Sequence, residues 1–259
     1  MGQYSELAYQ RSLIMDDIKK ALVGAAVGPF PFSGYQRAVK YVWSLDPLSP
    51  EGSLKDTGGR FNIGDIDRTK FNSFQALYLA EDKDTALQEY FQCDPSGKNG
   101  LSPQELALTE PQSMTMVSVY GSLESVVDLY NPDKLQVFVD LIKNFEYSDS
   151  LKQERAKLGF TENVVTNVAE LLSAVYDPNW RGLPMHMDVP ASPQIFGQLV
   201  LEAGIEGIRY KSKYTDKSCL AIFPQNFLGP DSFVGIMGEC PQGVSRKRLD
   251  LTFSLKTKR

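Results

Sequence analysis

Three short stretches carry residue types suited to chemistry on a small charged ligand. The first is Gly58-Gly59-Arg60-Phe61-Asn62. Paired glycines let a backbone turn sharply or approach a ligand closely. An arginine directly after them presents a planar fork of donors that matches a phosphate or a carboxylate. The same residues also read as an ordinary turn followed by a solvated arginine. The second stretch is Ala76-Leu77-Tyr78-Leu79-Ala80, followed by Asp84-Thr85-Ala86-Leu87-Gln88-Glu89. Period-two alternation sends Tyr78 to the face opposite Leu77 and Leu79. Glu89 follows Thr85 by one helical turn on the same face, as a solvated helix residue or as a buried functional acid. The third is Tyr210-Lys211-Ser212-Lys213, at the end of a strand. A serine there either orients a ligand or closes a turn.

Several other chemistries lack their residues. The chain has one histidine, His186, so a histidine-rich site has no ligands and a Ser-His-Asp triad would have to use it. No G-x-S-x-G elbow is present. No Walker loop occurs, and no GxGxxG follows a strand. Glu105, Glu110, Glu202 and Glu206 lack the context of a glycosidase pair. Cys93, Cys219 and Cys240 are odd in number and far apart, without a C-x-x-C pair, which fits a reducing, cytoplasmic setting. No metal site is expected.

These residues need a scaffold, and the composition supports one. The chain has 259 residues, 42% of them hydrophobic and 23% charged, enough to bury a core and too apolar for overall disorder. Its net charge of -5 disfavours phosphate-backbone binding, so no direct nucleic-acid partner is expected. No apolar run is long enough to cross a bilayer, and acids at Glu6, Asp16 and Asp17 argue against a secretory signal. Residues 4–23 read as an amphipathic helix through Leu7, Ile14, Ile18 and Leu22, within an N-terminal helical extension over 1–31 that packs on the body or on a partner. Residues 44–59 and 93–104 read as loops. Strands are expected over 75–80, 114–120, 205–211, 219–223 and, by alternation, 249–255; helices over 82–91, 132–145, 161–175 and 193–203. This irregular mixture argues α+β rather than a doubly wound parallel sheet.

Taken in order, Tyr35-Gln36-Arg37-Ala38, GGRFN at 58–62, ALYLAEDKDTALQEYF at 76–91 and GIRYKS at 207–212 resemble the RES domain family, which is known chiefly as the toxin of bacterial toxin–antitoxin pairs. The resemblance implies a RES-like catalytic domain over 32–259. Its fold would be an ADP-ribosyltransferase-like mixed fold with short antiparallel sheets and flanking helices. It implies NAD⁺ as a substrate, with no cofactor and no metal. The family's arginine, tyrosine, glutamate and serine map to Arg60, Tyr78, Glu89 and Ser212. An earlier arginine maps to Arg37, one residue further from Tyr35 than in the family's Tyr-Arg pair, and Phe61 and Asn62 join it as expected substrate contacts. By this resemblance Glu89 stabilises an oxocarbenium-like centre, Arg60 clamps the pyrophosphate, Tyr78 offers a π-face to nicotinamide and Ser212 bonds the nicotinamide or its ribose. The implied activity is an intracellular toxin that cleaves the nicotinamide–ribose bond under the control of an antitoxin or immunity partner. The alternatives are ADP-ribosylation of a protein target and a non-catalytic interaction module on the same fold. A homodimer is left open.

Overall fold

The computed structural model describes residues 2–91, 114–157, 164–240 and 242–253. Two N-terminal helices, α1 (Gly2–Leu13) and α2 (Met15–Ala25), lead into the long strand β1 (Phe30–Lys40), and β2 (Leu77–Ala80) and α3 (Lys83–Phe91) follow a looped stretch. Next come β3 (Met114–Leu123), β4 (Val126–Asp128), α4 (Gln136–Ile142), α5 (Asp149–Lys157), α6 (Val168–Val175), α7 (Gly182–Met187) and α8 (Ser192–Glu202). The chain then adds β5 (Gly207–Lys211), β6 (Ser218–Ile222), β7 (Phe233–Ile236) and β8 (Arg248–Leu249). The strands join one eight-stranded sheet in the order β4-β5-β6-β2-β1-β3-β7-β8. Among the described strands only β4 and β5 pair in parallel, so the expected short antiparallel pairings hold but merge into a single mixed sheet. No described helix is long and apolar enough to cross a membrane.

Alternation along the central strands separates two cores. Leu77 and Leu79 of β2 and Leu220 and Ile222 of β6 point to one face, with Phe32, Val119, Val234 and Leu249. Leu48 and Phe227, from loops, complete this core. Ala76, Ala80, Tyr210, Cys219 and Ala221 point to the other face, where Ile18 and Leu22 of α2, Phe138 of α4, Val175 of α6 and Phe196 of α8 cover them. Because both faces are covered, all five residues of β6 are buried.

Three elements differ from their sequence reading. The helix expected over 4–23 divides at Ile14, which leaves helical geometry (φ −123°) and packs on the helix-covered core while Leu13 faces solvent. No breaker residue marks this bend, and nothing in the local packing explains it. The segment 1–31 packs back through α2, whose Ile18 and Leu22 are fully buried, at about 1.5–3 kcal/mol for each side chain. Within the described part of the helix expected over 161–175, the helix begins at Val168, where Asn167 takes the cap and accepts from the Glu170 backbone N–H at 2.9 Å; 161–163 lie outside the described residues. Among the described residues, the strand expected over 249–255 pairs only through Leu249, with Arg248 before it. Asp250 then accepts from the Thr252 N–H at 3.0 Å and turns residues 251–253 into a helical turn. The loop expected over 93–104 lies outside the described residues.

Candidate active site

The GGRFN stretch folds into a tight loop that stops its arginine at the mouth of the helix-covered face. Gly58 sits at φ +87°, and a Cβ there would stand 2.4 Å from the Asn62 carbonyl oxygen and from the Gly64 nitrogen, so only glycine fits. At Gly59 a Cβ would meet the Tyr78 hydroxyl at 2.4 Å. Asn62 is fully buried and completes its hydrogen bonding there. Its Oδ1 accepts from the Gly59 N–H and the Tyr78 hydroxyl, both at 2.9 Å, and its Nδ2 donates to the carbonyls of Ser53 (2.8 Å) and Phe74 (3.0 Å). The Tyr78 oxygen in turn accepts from the Phe61 N–H at 2.9 Å. Phe61 anchors the loop by edge-to-face packing on Tyr210, with ring centroids 4.9 Å apart.

Arg60 emerges from this loop 7% exposed, its Nη1 donating to the carbonyls of Val175 (3.1 Å) and Asp177 (3.3 Å) just beyond α6. It shares one cleft of about 420 Å³ with Tyr78, Glu89, Trp180 and Arg181. Glu89 comes from the last turn of α3, a helix capped where Asp82 accepts from the Thr85 N–H at 2.8 Å. Ser212, just past β5 and 4% exposed, donates its hydroxyl to Glu89 Oε1 at 2.6 Å. The sheet brings these groups together: β5 pairs with β6 and β6 with β2, so the ends of the strands carrying Tyr78 and Ser212 flank the start of α3. The cleft is cationic on an acidic chain. Arg37, Lys40, Lys55, Arg60 and Arg181 line it against Asp56 and Glu89. That arrangement suits an anionic ligand and a centre of developing positive charge beside the carboxylate.

A family model described as "RES domain" matches residues 35–232, which span every one of these groups. The chain belongs to the RES domain family. A solved structure, "Crystal structure of the M.tuberculosis MbcT-MbcA toxin-antitoxin complex", matches it with a TM-score of 0.50 over 94% of this chain and 96% of that one, at 14% identity. At that identity the likeness speaks for the fold alone. No curated protein gives a significant match.

In this RES-domain protein the expected catalytic residues Arg60, Tyr78 and Glu89 line one cleft, and Ser212 touches it through Glu89. Their surroundings refine what each can do. The Tyr78 hydroxyl is spent on the loop, and burial, the largest influence, pushes its pKa well above the ordinary phenol value, so it stays neutral. Phe61 and Asn62, expected as substrate contacts, are fully buried and stand apart from the cleft lining; they shape the loop instead. Arg37 lies in the cleft wall, but each of its three nitrogens donates to a carbonyl: Nε to Pro47 (2.8 Å), Nη1 to Tyr78 (3.2 Å) and Nη2 to Ser49 (2.8 Å). Burial lowers its pKa to about 10, which still leaves it charged. It ties the loop after β1 to β2. His186 is exposed on α7 and outside the lining. Glu206 is buried and accepts from Ser232 Oγ at 2.6 Å and the Glu124 N–H at 2.7 Å, and burial raises its pKa. Glu105 and Glu110 lie outside the described residues.

Three further residues carried no signal along the chain. Gln194, at the third position of α8 and fully buried, donates Nε2 to the carbonyls of Thr57 (2.7 Å), Gly59 (3.2 Å) and Asn62 (3.0 Å). Its Oε1 accepts from the Ala191 N–H at 3.1 Å, so one side chain locks the GGRFN loop to a helix start. Trp180 and Arg181 supply part of the cleft wall. The dipeptide Trp-Arg lies in an irregular stretch where neither periodicity nor motif points to a site.

Proposed function

We propose that this RES-domain protein is the toxin of a toxin–antitoxin pair and that it cleaves NAD⁺ between nicotinamide and ribose. The observation that carries this reading is the Ser212–Glu89 contact at 2.6 Å within a cationic cleft headed by the buried Arg60. The solved structure of like fold is titled as a toxin–antitoxin complex, which supports the toxin role and a protein antitoxin as partner.

The reaction asks little proton chemistry of the protein. The C–N bond at ribose C1′ breaks, and its electron pair neutralises the pyridinium nitrogen as nicotinamide leaves. C1′ becomes oxocarbenium-like, water adds to it and a proton passes to solvent, giving ADP-ribose. A carboxylate about 4 Å from that charge, at an effective dielectric near 20, contributes about 4 kcal/mol. That is enough to account for a rate effect of about a thousandfold. Glu89 supplies this charge, and Ser212 holds one carboxylate oxygen so that no reorientation is needed as charge develops. Arg60, with two donors fixed on carbonyls, is preset to meet a phosphoryl oxygen.

The test is release of free nicotinamide from NAD⁺ by the purified protein beside Glu89→Gln. Turnover in the variant should fall about a hundred- to a thousandfold, while affinity for the inert product ADP-ribose changes by less than about threefold. Full turnover in Glu89→Gln would remove Glu89 from the chemistry. No nicotinamide release by folded wild-type protein would refute the cleavage reading.

A further inference from the structure

The connection between α6 and α7 places an indole under two arginines. Trp180 is 2% exposed; the Arg181 guanidinium carbon lies 4.7 Å from its ring centroid and that of Arg60 lies 5.9 Å away. Both arginines line the cleft. Neither is ion-paired among the described residues. The Arg181 Nε–H is enclosed and meets no hydrogen-bond partner among the described residues. A native protein rarely leaves such a buried donor unmet.

The charges around this spot point the same way. Burial holds the Arg181 guanidinium below its ordinary pKa; Tyr78 and Tyr214 oppose that shift, Arg60 adds to it, and Asp56 is the acid that pulls against it. Lys213, on the turn after β5, is lowered too, by burial first and then by Arg60, with Glu89 opposing and Arg181 adding a further push. Arg60 and Arg181 thus sit close together on one buried ring, with Arg181 in partly dehydrated space. Such a pair is unfavourable until an anion enters it. Arg37 is the less suitable second clamp, because its nitrogens already serve the carbonyls of Pro47, Ser49 and Tyr78.

We propose that Arg181 pairs with Arg60 across Trp180 as a diphosphate cradle that makes this cleft select a dinucleotide over a mononucleotide. Two planar forks held on one ring can each take one phosphoryl group, whereas a mononucleotide fills only one. The inference rests on the proposed cleavage reading for its kinetic test, and a binding test keeps the two separable.

NAD⁺ and nicotinamide mononucleotide share the scissile bond and differ in the second phosphate and the adenosine. Arg181→Ala should lower the ratio of kcat/KM for NAD⁺ to that for the mononucleotide by about ten- to a hundredfold, the loss of one charge-assisted contact. Arg181→Lys keeps the charge without the fork and should recover part of that ratio. Thermal melting of each variant confirms that the fold is retained. In parallel, calorimetry should show ADP-ribose affinity falling by a similar factor in Arg181→Ala, with AMP affinity far less affected. An unchanged NAD⁺ preference in Arg181→Ala overturns the cradle. So does wild-type protein that binds no ADP-ribose, or a variant that binds it as well as wild type. Wild-type protein that binds ADP-ribose through Arg181 yet releases no nicotinamide would uphold the cradle and refute cleavage.

Discussion

Replacing Tyr78 by Phe removes a single oxygen and separates two roles for this residue. A ring offered to nicotinamide survives the change. A clip on the arginine-bearing loop does not. In the structure the hydroxyl donates to Asn62 Oδ1 and accepts from the Phe61 N–H, each at 2.9 Å. Asn62 Oδ1 keeps its second donor, the Gly59 N–H, so that loss is one ordinary bond of about 1 kcal/mol. The Phe61 N–H has no such alternative among the described residues, and orphaning a buried donor costs about 1–3 kcal/mol. The sum is about 2–4 kcal/mol of stability, read by urea or guanidinium unfolding at neutral pH. Because the loosened loop carries Arg60, KM for NAD⁺ should rise in the same variant. A second signature lies in alkali. An unfolded tyrosine ionises near 10.0, while burial holds Tyr78 neutral well above that. Its share of stability is therefore complete below pH 10 and is lost as pH climbs through the folded value, with a slope of up to about 1.4 kcal/mol per pH unit. Tyr78→Phe should remove that share, while Tyr35, Tyr176 and Tyr210, also raised mainly by burial, keep theirs. A variant within about 0.5 kcal/mol of wild type, with unchanged KM and alkaline profile, would refute the clip and return Tyr78 to a role through its ring.

Two further substitutions probe the same frame. Ser212→Ala withdraws the donor from Glu89 and should lower kcat for nicotinamide release about tenfold or more, with Thr restoring part of it; an unchanged kcat would show that Glu89 needs no such support. Gln194→Leu keeps the approximate volume but removes the two amide N–H donors shared among the Thr57, Gly59 and Asn62 carbonyls and leaves the Ala191 N–H unpaired. It should destabilise the protein by about 3 kcal/mol in a denaturant titration, and stability equal to wild type would mean that water replaces the side chain at no cost.

The local elements around the cleft were legible because short-range rules governed them. Leu77-Tyr78-Leu79 alternates as a strand does, Asp82 caps the helix that carries Glu89, and Gly204 with φ +79° stops α8 at its expected end. Two of the misread elements are those where a nearby competitor prevailed: Asn167 captured the start of α6 and Asp250 turned the last strand.

By themselves, the residues along the chain determined which groups were available to the cleft. Arg60 after two glycines, Tyr78 in a strand, Glu89 on the following helix and Ser212 past a later strand are visible in their types and order. What each does was decided only by tertiary structure, because hydrogen-bond partners come from segments far apart in the chain. Arg37 meets loop carbonyls, Phe61 and Asn62 turn inward, and the Tyr78 hydroxyl is consumed by the loop it supports. Ser212 reaches Glu89 across 123 positions, and Gln194 reaches Thr57 across 137. Arg181 enters the cleft only because α6 and the turn beyond it bring Trp180 beneath Arg60. No period or spacing encodes contacts of that range; the pairing of β5, β6 and β2 sets the Ser212 contact, and the packing of α6 and α8 on the loop sets the others.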